Sequence, residues 1–194
     1  TMEYIEIDTK GNGADFGDLT VARSYPAGMN SPTRGVFAGG FQTTPGPQTF
    51  NTIDYVTIAN KGNAVDFGDL TAHGVPYDGA LSSSTRGVIT ARMIYEPGTF
   101  HDHRTMDYIT IASTGNSIEF GDTNGNHNIS VATSTQIRGV FMGGLGRTSP
   151  NPVVSNIEYI TIATTGNATD FGNLSTAKYY GGGTSDSHGG LGGF

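Results

Sequence analysis

The chain has 194 residues, with 10 lysines and arginines against 17 aspartates and glutamates, and its formal net charge is −7. This acidity argues against a nucleic-acid ligand, because binding to phosphates depends on positive charge. Without cysteine there is no disulfide framework, thiolate nucleophile or cysteine-based zinc site.

One segment recurs four times, beginning with YIEIDTKGNGADFGD at residues 4–18. The later copies occupy residues 55–69, 108–122 and 159–173. The acidic residue that opens each D/E-F-G element recurs at intervals of 51, 53 and 51 residues. A second motif, TRGVFAGG from Thr33, returns from Thr85 and Ile137, and more weakly from Ser187. Repeats of this length are typical of solenoids and propellers.

Each unit is predicted to contain four short strands. In the second copy, residues 53–58 apart from Asp54 are β-branched or aromatic, with apolar side chains on both faces, which predicts a strand covered by sheets on both sides. The Lys61-Gly62-Asn63 turn leads to an outer strand over residues 66–70. Residues 75–77 predict a looser strand, and a Ser/Thr-rich turn then leads to an inner strand over residues 86–90. Four strands in about 50 residues is the size of a propeller blade.

The two ends of the chain carry complementary parts of one unit. Residues 2–7 match a third strand, and residues 189–194 match a second strand. We therefore predict a single all-β domain over residues 1–194, a four-bladed β-propeller of kelch-like repeats in which both termini close the ring. The alternative is a slice of a longer repeat array or of a larger propeller.

Charged residues that recur between units are interpreted as structural. The carboxylates occur in all four units, and a ring would hold them apart and prevent an acid–base pair. The arginines occur in three units, with His188 in the fourth. A ring of arginines could hold an anion, but we interpret them as making structural pairs. We expect the carboxylates to make outer-strand hydrogen bonds or to pair with the arginines. The structural set is Asp15, Asp66, Glu119, Asp170, Arg34, Arg86 and Arg138. No residue is predicted to be catalytic, and no cofactor or metal is predicted.

The connections between the second and third strands differ in every unit, reading QTTPGPQTFN, IYEPGTFHDHR and LGRTSPNPVVS. Variable loops on a rigid scaffold often carry binding residues. The predicted binding residues are Phe50, Tyr95, Glu96, Phe100, His101, His103, Arg104 and Arg147. In an extended segment His101 and His103 would point the same way and could bind a metal, but we interpret them as part of a solvated loop.

The order of a strand ending in Gly-Gly, a variable loop, an aromatic strand and a later arginine resembles the kelch repeat. The matching pieces are Phe37-Ala38-Gly39-Gly40, Asp54-Tyr55 and Ala22-Arg23. The kelch tryptophan is absent, and phenylalanines such as Phe67 take its expected place. The amino-acid sequence of the repeat is also similar to repeats in structural proteins of tailed bacteriophages, especially marine and cyanobacterial ones.

The phage resemblance implies a virion component such as a tail or fibre protein. We therefore expect a non-enzymatic structural or adhesive module, located in a virion or outside the cell. Its expected partners are a host-surface glycan or protein, or other virion subunits, without nucleic acid or membrane insertion. The alternative is a stand-alone microbial lectin that binds carbohydrate through its propeller loops.

Overall fold

The computed structural model describes residues 1–77, 79–90, 92–125, 127–128, 130–146 and 152–185, and only the backbone of Phe100, Asp102, His127 and Asn128. Within these ranges every regular element is a β-strand, so the all-β class is confirmed. The same residues contain no helix long and apolar enough to cross a membrane. The described strands are β1 (Met2–Tyr4), β2 (Ala14–Gly17), β3 (Ala27–Asn30), β4 (Arg34–Ala38), β5 (Phe41–Gln42), β6 (Gln48–Thr49), β7 (Thr52–Thr57), β8 (Val65–Asp69), β9 (Ala80–Ser82), β10 (Arg86–Ile89), β11 (Arg92–Glu96), β12 (Thr99–His103), β13 (Thr105–Thr110), β14 (Ile118–Asp122), β15 (His127–Asn128), β16 (Val131–Ser134), β17 (Arg138–Met142), β18 (Leu145–Gly146), β19 (Asn156–Thr161) and β20 (Thr169–Asn173).

Three antiparallel four-stranded sheets follow one another along the chain. The first sheet has the order β3-β4-β7-β8, the second β9-β10-β13-β14, and the third β16-β17-β19-β20. Strands β1 and β2 pair as the terminal sheet, in the same register as the outer two strands of the others. This repetition of antiparallel sheets fits a propeller-like fold.

The strands differ from the predicted ones at one place and match no described residue at another. The looser strand expected over residues 75–77 is wrong, because Val75 makes only an isolated bridge to Met93, and β9 at Ala80–Ser82 is the innermost strand of its sheet. The strand expected over residues 189–194 lies outside the described residues. Its pairing with residues 2–7 therefore remains a prediction.

The hydrophobic core lies between the sheets. One buried cluster joins Met29, Val36 and Phe67 of the first sheet to Ile89 and Ile109 of the second. An equivalent cluster lies between the second and third sheets. A four-stranded sheet of this size cannot bury both its faces alone, so the units gain their core by stacking.

A β-bulge interrupts the pairing of the third and fourth strands of every unit, next to an acidic residue. Such a bulge redirects a side chain. The residues concerned are Glu3, Asp54, Asp107 and Glu158. Asp54, Asp107 and Glu158 are buried at the boundary with the preceding unit, whereas Glu3 is exposed.

Neighbouring sheets are joined by the Gly-Asn turn of one unit, which docks on the outer strand of the unit before it. At the junction of the first and second sheets, Gly115 N–H donates to the carbonyl of Phe67 at 2.7 Å. The Asn116 side chain accepts from the N–H of Asp69 at 3.0 Å. Gly68, with φ of +145°, lies so close to this turn that a Cβ would be 2.4 Å from the oxygen of Gly115. The same contacts recur between the terminal and first sheets and between the second and third sheets.

The innermost strands lie side by side around a central cavity of about 300 Å³. The Ser134 hydroxyl donates to the carbonyl of Ser82 at 3.1 Å, and the Ser185 hydroxyl donates to the carbonyl of Ser134 at 2.7 Å. Residues from all four repeats line the cavity. The turns that follow the innermost strands border it, so it lies at the end of the sheets opposite the variable loops.

Candidate binding groove on the loop face

The variable connections of the first two sheets form regular hairpins that extend from the scaffold. Strands β5 and β6 pair in the first unit, and β11 and β12 pair over five residue pairs in the second. The end of the sheets that carries these hairpins is called the loop face below. The predicted solvated loop at His101 and His103 is therefore wrong in its conformation, since both residues lie in strand β12.

The two hairpins contact each other. The rings of Phe41 and Tyr95 meet edge to face, with their centroids 6.4 Å apart. Between the hairpins lies a groove of about 540 Å³, which also borders the connection that follows β8. The groove is lined by Pro47, Gln48, Thr49, Asn51, Thr71, Ala72, His73, Tyr95 and Pro97.

The chemistry of the groove combines one aromatic ring and two prolines with amide, hydroxyl and imidazole groups. Among the described lining residues none is an aspartate, glutamate, lysine or arginine, although the chain as a whole carries a net charge of −7. The hydroxyl of Thr49 lies 2.5 Å from Nδ1 of His73. A few polar groups beside apolar surface are typical of ligand sites, where they fix the orientation of the bound molecule.

The predicted binding residues are only partly brought together. Tyr95 lines the groove, while Glu96 and His101 contact each other at 3.5 Å on the exposed part of the same hairpin. Phe50 lies at the base of the first hairpin, where its N–H donates to the carbonyl of Gly40. Arg104 is exposed just after β12. The side chain of Phe100 and the whole of Arg147 lie outside the described residues.

A buried ion pair anchors the second hairpin to the scaffold. Arg92, the first residue of β11, lies 3.1 Å from the carboxylate of Asp107, and neither side chain is exposed. Asp107 also accepts hydrogen bonds from the backbone and hydroxyl of Thr71 and from the hydroxyl of Ser117. Burial lowers the pKa of Arg92, and the charge of Asp107 offsets part of this effect.

The ion pair at the preceding junction uses an arginine from a different position in the repeat. Arg23, in the connection after β2, contacts Asp54 at 2.7 Å, and neither of these side chains is exposed. The residue equivalent to Arg23 in the next unit is Gly74, and a Cβ on Gly74 would lie 2.7 Å from the Cβ of Arg92. Arg92 therefore fills the space that Gly74 leaves, and it supplies the missing positive charge from the hairpin.

The recurring charged residues predicted as structural have different partners from those expected. Arg34, Arg86 and Arg138 each stack on a tyrosine of the adjacent strand, with the guanidinium 4.4–4.5 Å from the ring centroid. Arg34 and Arg86 also donate to carbonyls of the next sheet. The carboxylates Asp15, Asp66, Glu119 and Asp170 are exposed on the outer strands. None of the ion pairs among the described residues joins these carboxylates to those arginines.

His103 faces Arg92 across the hairpin and has a perturbed pKa. Burial lowers this pKa below its ordinary value of 6.5, and the positive charge of Arg92 lowers it further. The Nδ1 atom is buried and has no hydrogen-bond partner among the described residues. The charges of Asp107, Asp122 and Glu119 act on this pKa in the opposite direction, and the net shift is downward. The part of the chain that the structure describes contains no group of three or more potential metal-binding side chains.

We expect the stability of the chain to fall as the pH drops from about 7 to about 5.5, partly because of His103. Below about pH 6.5 the unfolded chain binds a proton at this histidine that the folded chain resists, so the free energy of unfolding decreases. The variant His103→Gln should show a shallower dependence in chemical denaturation at a series of pH values. Equal slopes for wild type and His103→Gln would contradict this prediction.

Several groove residues were not predicted from the sequence. Gln48 and Asn51 belong to the variable connection of the first unit and His73 to the connection after β8, and the packing of the two hairpins brings them near Tyr95. The buried acidic residues were likewise not predicted from the sequence, although their position in the repeat provides a signal for them. An acidic residue stands directly before the tyrosine of every repeat, at Glu3, Asp54, Asp107 and Glu158.

These features define a propeller-like, all-β repeat protein with a polar groove on its loop face. No protein-family model matches the chain, and no curated protein matches it in sequence. Its fold is similar to the solved structure of YjhT, with a TM-score of 0.63 and 7% sequence identity. The similarity covers 79% of this chain and 53% of the YjhT chain, so this chain spans about half the length of YjhT. At this identity the similarity concerns the fold alone.

Proposed function

We propose that the chain is a non-enzymatic adhesive module of a phage virion appendage, such as a tail or fibre, and that it contacts a host surface through the loop face. The observation that carries the proposal is the groove between two hairpins of unlike sequence. The scaffold beneath repeats almost unchanged, while the hairpins that meet at Phe41 and Tyr95 differ in length and composition. Variation confined to one face is typical of a recognition surface on a rigid support.

The lining of the groove favours a glycan over a charged partner. A sugar ring presents C–H groups on its faces and hydroxyl groups at its edges. Tyr95 and the two prolines offer apolar surface to the faces, and Gln48, Asn51 and His73 offer hydrogen-bonding groups to the edges. The alternative, a stand-alone lectin, would be expected to repeat one site in each unit, whereas this groove draws on loops that differ between units.

We also propose that the scaffold is a closed four-bladed propeller, with the terminal sheet and residues after 180 forming the fourth blade. The packing of residues 181–185 supports this arrangement. Ser185 donates to Ser134 as Ser134 donates to Ser82, which supports the assignment of this segment to a fourth innermost position. Such a ring would present the hairpins together on one side.

The binding face is tested by replacing Tyr95, Phe100 and Arg104 together with alanine. We expect at least a tenfold loss of binding to purified surface polysaccharides and whole cells of marine cyanobacteria, measured with fluorescently labelled protein, and an unchanged melting temperature. The control is the double variant Thr114→Ala/Thr165→Ala, in exposed turns on the opposite side. Loss of binding in the control and not in the triple variant would show that the wrong face was chosen.

A further inference from the structure

Three junctions between sheets share one set of contacts, and the chain carries the two halves of a fourth. Where the next unit docks, the outer-strand phenylalanine is covered in part at Phe16 and almost fully at Phe67 and Phe120, which are 2% and 3% exposed. The equivalent Phe171 on β20 is 55% exposed. A Cβ at Gly68 or Gly121 would collide with a neighbouring turn, but one at Gly172 would meet nothing within 4 Å.

The complementary half belongs to the terminal sheet. Its turn over residues 5–13 contains Lys10-Gly11-Asn12, which is equivalent to the docked Lys61-Gly62-Asn63. Ile111 and Ile162, which precede the docked turns of the second and third sheets, are 0% and 1% exposed, whereas Ile58, which precedes the docked turn of the first sheet, is 47% exposed. Their counterpart Ile7 is 91% exposed. Phe171 and Ile7 are therefore more exposed than any of their equivalents at the three observed junctions.

We propose that β20 and the turn over residues 5–13 of the same chain join as a fourth junction, which seals the ring between the third and terminal sheets. The proposal rests on the closed scaffold proposed above and is independent of the choice of binding face. By equivalence, Gly11 N–H donates to the carbonyl of Phe171, and the Asn12 side chain accepts from the N–H of Asn173. The three observed asparagine contacts measure 3.0, 3.0 and 2.9 Å.

Charge complementarity supports the same pairing. The residue equivalent to Arg23 in the last unit is Lys178, and the residue equivalent to its partner Asp54 is Glu3. Both are exposed in the structure. Joining the two halves would bring Lys178 to Glu3. Lysine is shorter than the arginine of the Arg23–Asp54 pair, and glutamate is longer than its aspartate. Ser175 would then stand where Thr20 and Thr71 hydrogen-bond to their acids.

The occupant of the β20 edge is the chain's own first turn and not that of a second copy. The segment at residues 181–185 already packs beside β16, with Ser185 bonded to Ser134 at 2.7 Å. The inner half of this boundary is therefore supplied by the same chain that carries the first turn. Because a tethered partner binds at a high effective concentration, self-closure is favoured over association between copies.

Cross-linking tests this assignment directly, because the chain has no native cysteine. The test variant is Asn12→Cys/Asn173→Cys, treated with a short bifunctional maleimide, and the matched control is Asp18→Cys/Asn63→Cys at an observed junction. We expect both variants to give an internally cross-linked monomer whose yield does not change on tenfold dilution. Covalent dimers in the test variant, or no product where the control reacts, would overturn the proposal.

A charge exchange provides a second measurement that does not depend on cysteine variants folding. Glu3→Lys and Lys178→Glu should each lower the melting temperature by several degrees, because each puts two like charges in the junction. The double variant Glu3→Lys/Lys178→Glu should recover most of that loss. If the two residues remain exposed and apart, all three variants will melt together with the wild type, which would also overturn the proposal.

Discussion

Replacing Gly68 with alanine is expected to destabilise the chain by about 3 kcal/mol or more. The backbone at Gly68 has a φ of +145°, which side-chain-bearing residues rarely adopt, and the new Cβ would lie 2.4 Å from the carbonyl oxygen of Gly115. Because the neighbouring atoms belong to backbone, the two sheets would have to separate to admit a methyl group. Chemical denaturation measures the loss.

Gly115→Ala is the matched control for this substitution. Gly115 has a similar φ of +152°, but a Cβ there would meet nothing within 4 Å. Its cost should be that of the strained backbone alone, about 1–2 kcal/mol. If the two alanine variants lose the same stability, the outer strand and the turn are not packed as closely as described.

Removing the positive charge at Arg92 is expected to be equally severe. In Arg92→Gly the buried carboxylate of Asp107 loses its only ion-pair partner among the described residues, which should cost about 3–5 kcal/mol. Because the junctions between units share one geometry, a second substitution should restore most of the lost stability. Adding Gly74→Arg to Arg92→Gly places an arginine where Arg23 stands in the preceding junction, and we expect it to restore more than half of the lost stability.

Gly74→Arg is expected to stabilise the chain only when Arg92 has been removed. Gly74→Arg alone, with Arg92 still present, should be destabilising, because a Cβ at Gly74 meets Arg92 at 2.7 Å. Only the double variant has room for the new side chain. A double-mutant cycle measures the coupling between the two positions, and additive losses would show that the arginines do not share one space.

The repeating parts of the fold could be predicted from local sequence. The β-branched run at residues 53–58 and the Lys61-Gly62-Asn63 turn identify β7 and the start of β8, because strand and turn propensities act over a few residues. The strand predicted at Val75 was wrong because the pairing of this residue depends on a contact that is distant in sequence. Val75 is apolar and buried, but it pairs with Met93 of the hairpin and not with its own sheet.

The site could be predicted only in part. Tyr95 was identified because it lies in a loop that differs from its counterparts, which is a property of the sequence. The exchange of Arg23 for Arg92 was beyond prediction, because the two arginines occupy different positions in the repeat and converge only in space. The role of Asn51 and His73 depends likewise on how two hairpins pack.

The position of Arg92 also determines how far the loop face can diversify. The first hairpin could be exchanged for another without touching a buried ion pair, since Arg23 lies outside it. The second hairpin carries Arg92 at its first residue, so a grafted replacement must begin with arginine or be accompanied by Gly74→Arg. In an evolving lineage or a design experiment, the first hairpin can therefore change without its ion pair, and the second is inherited together with its scaffold.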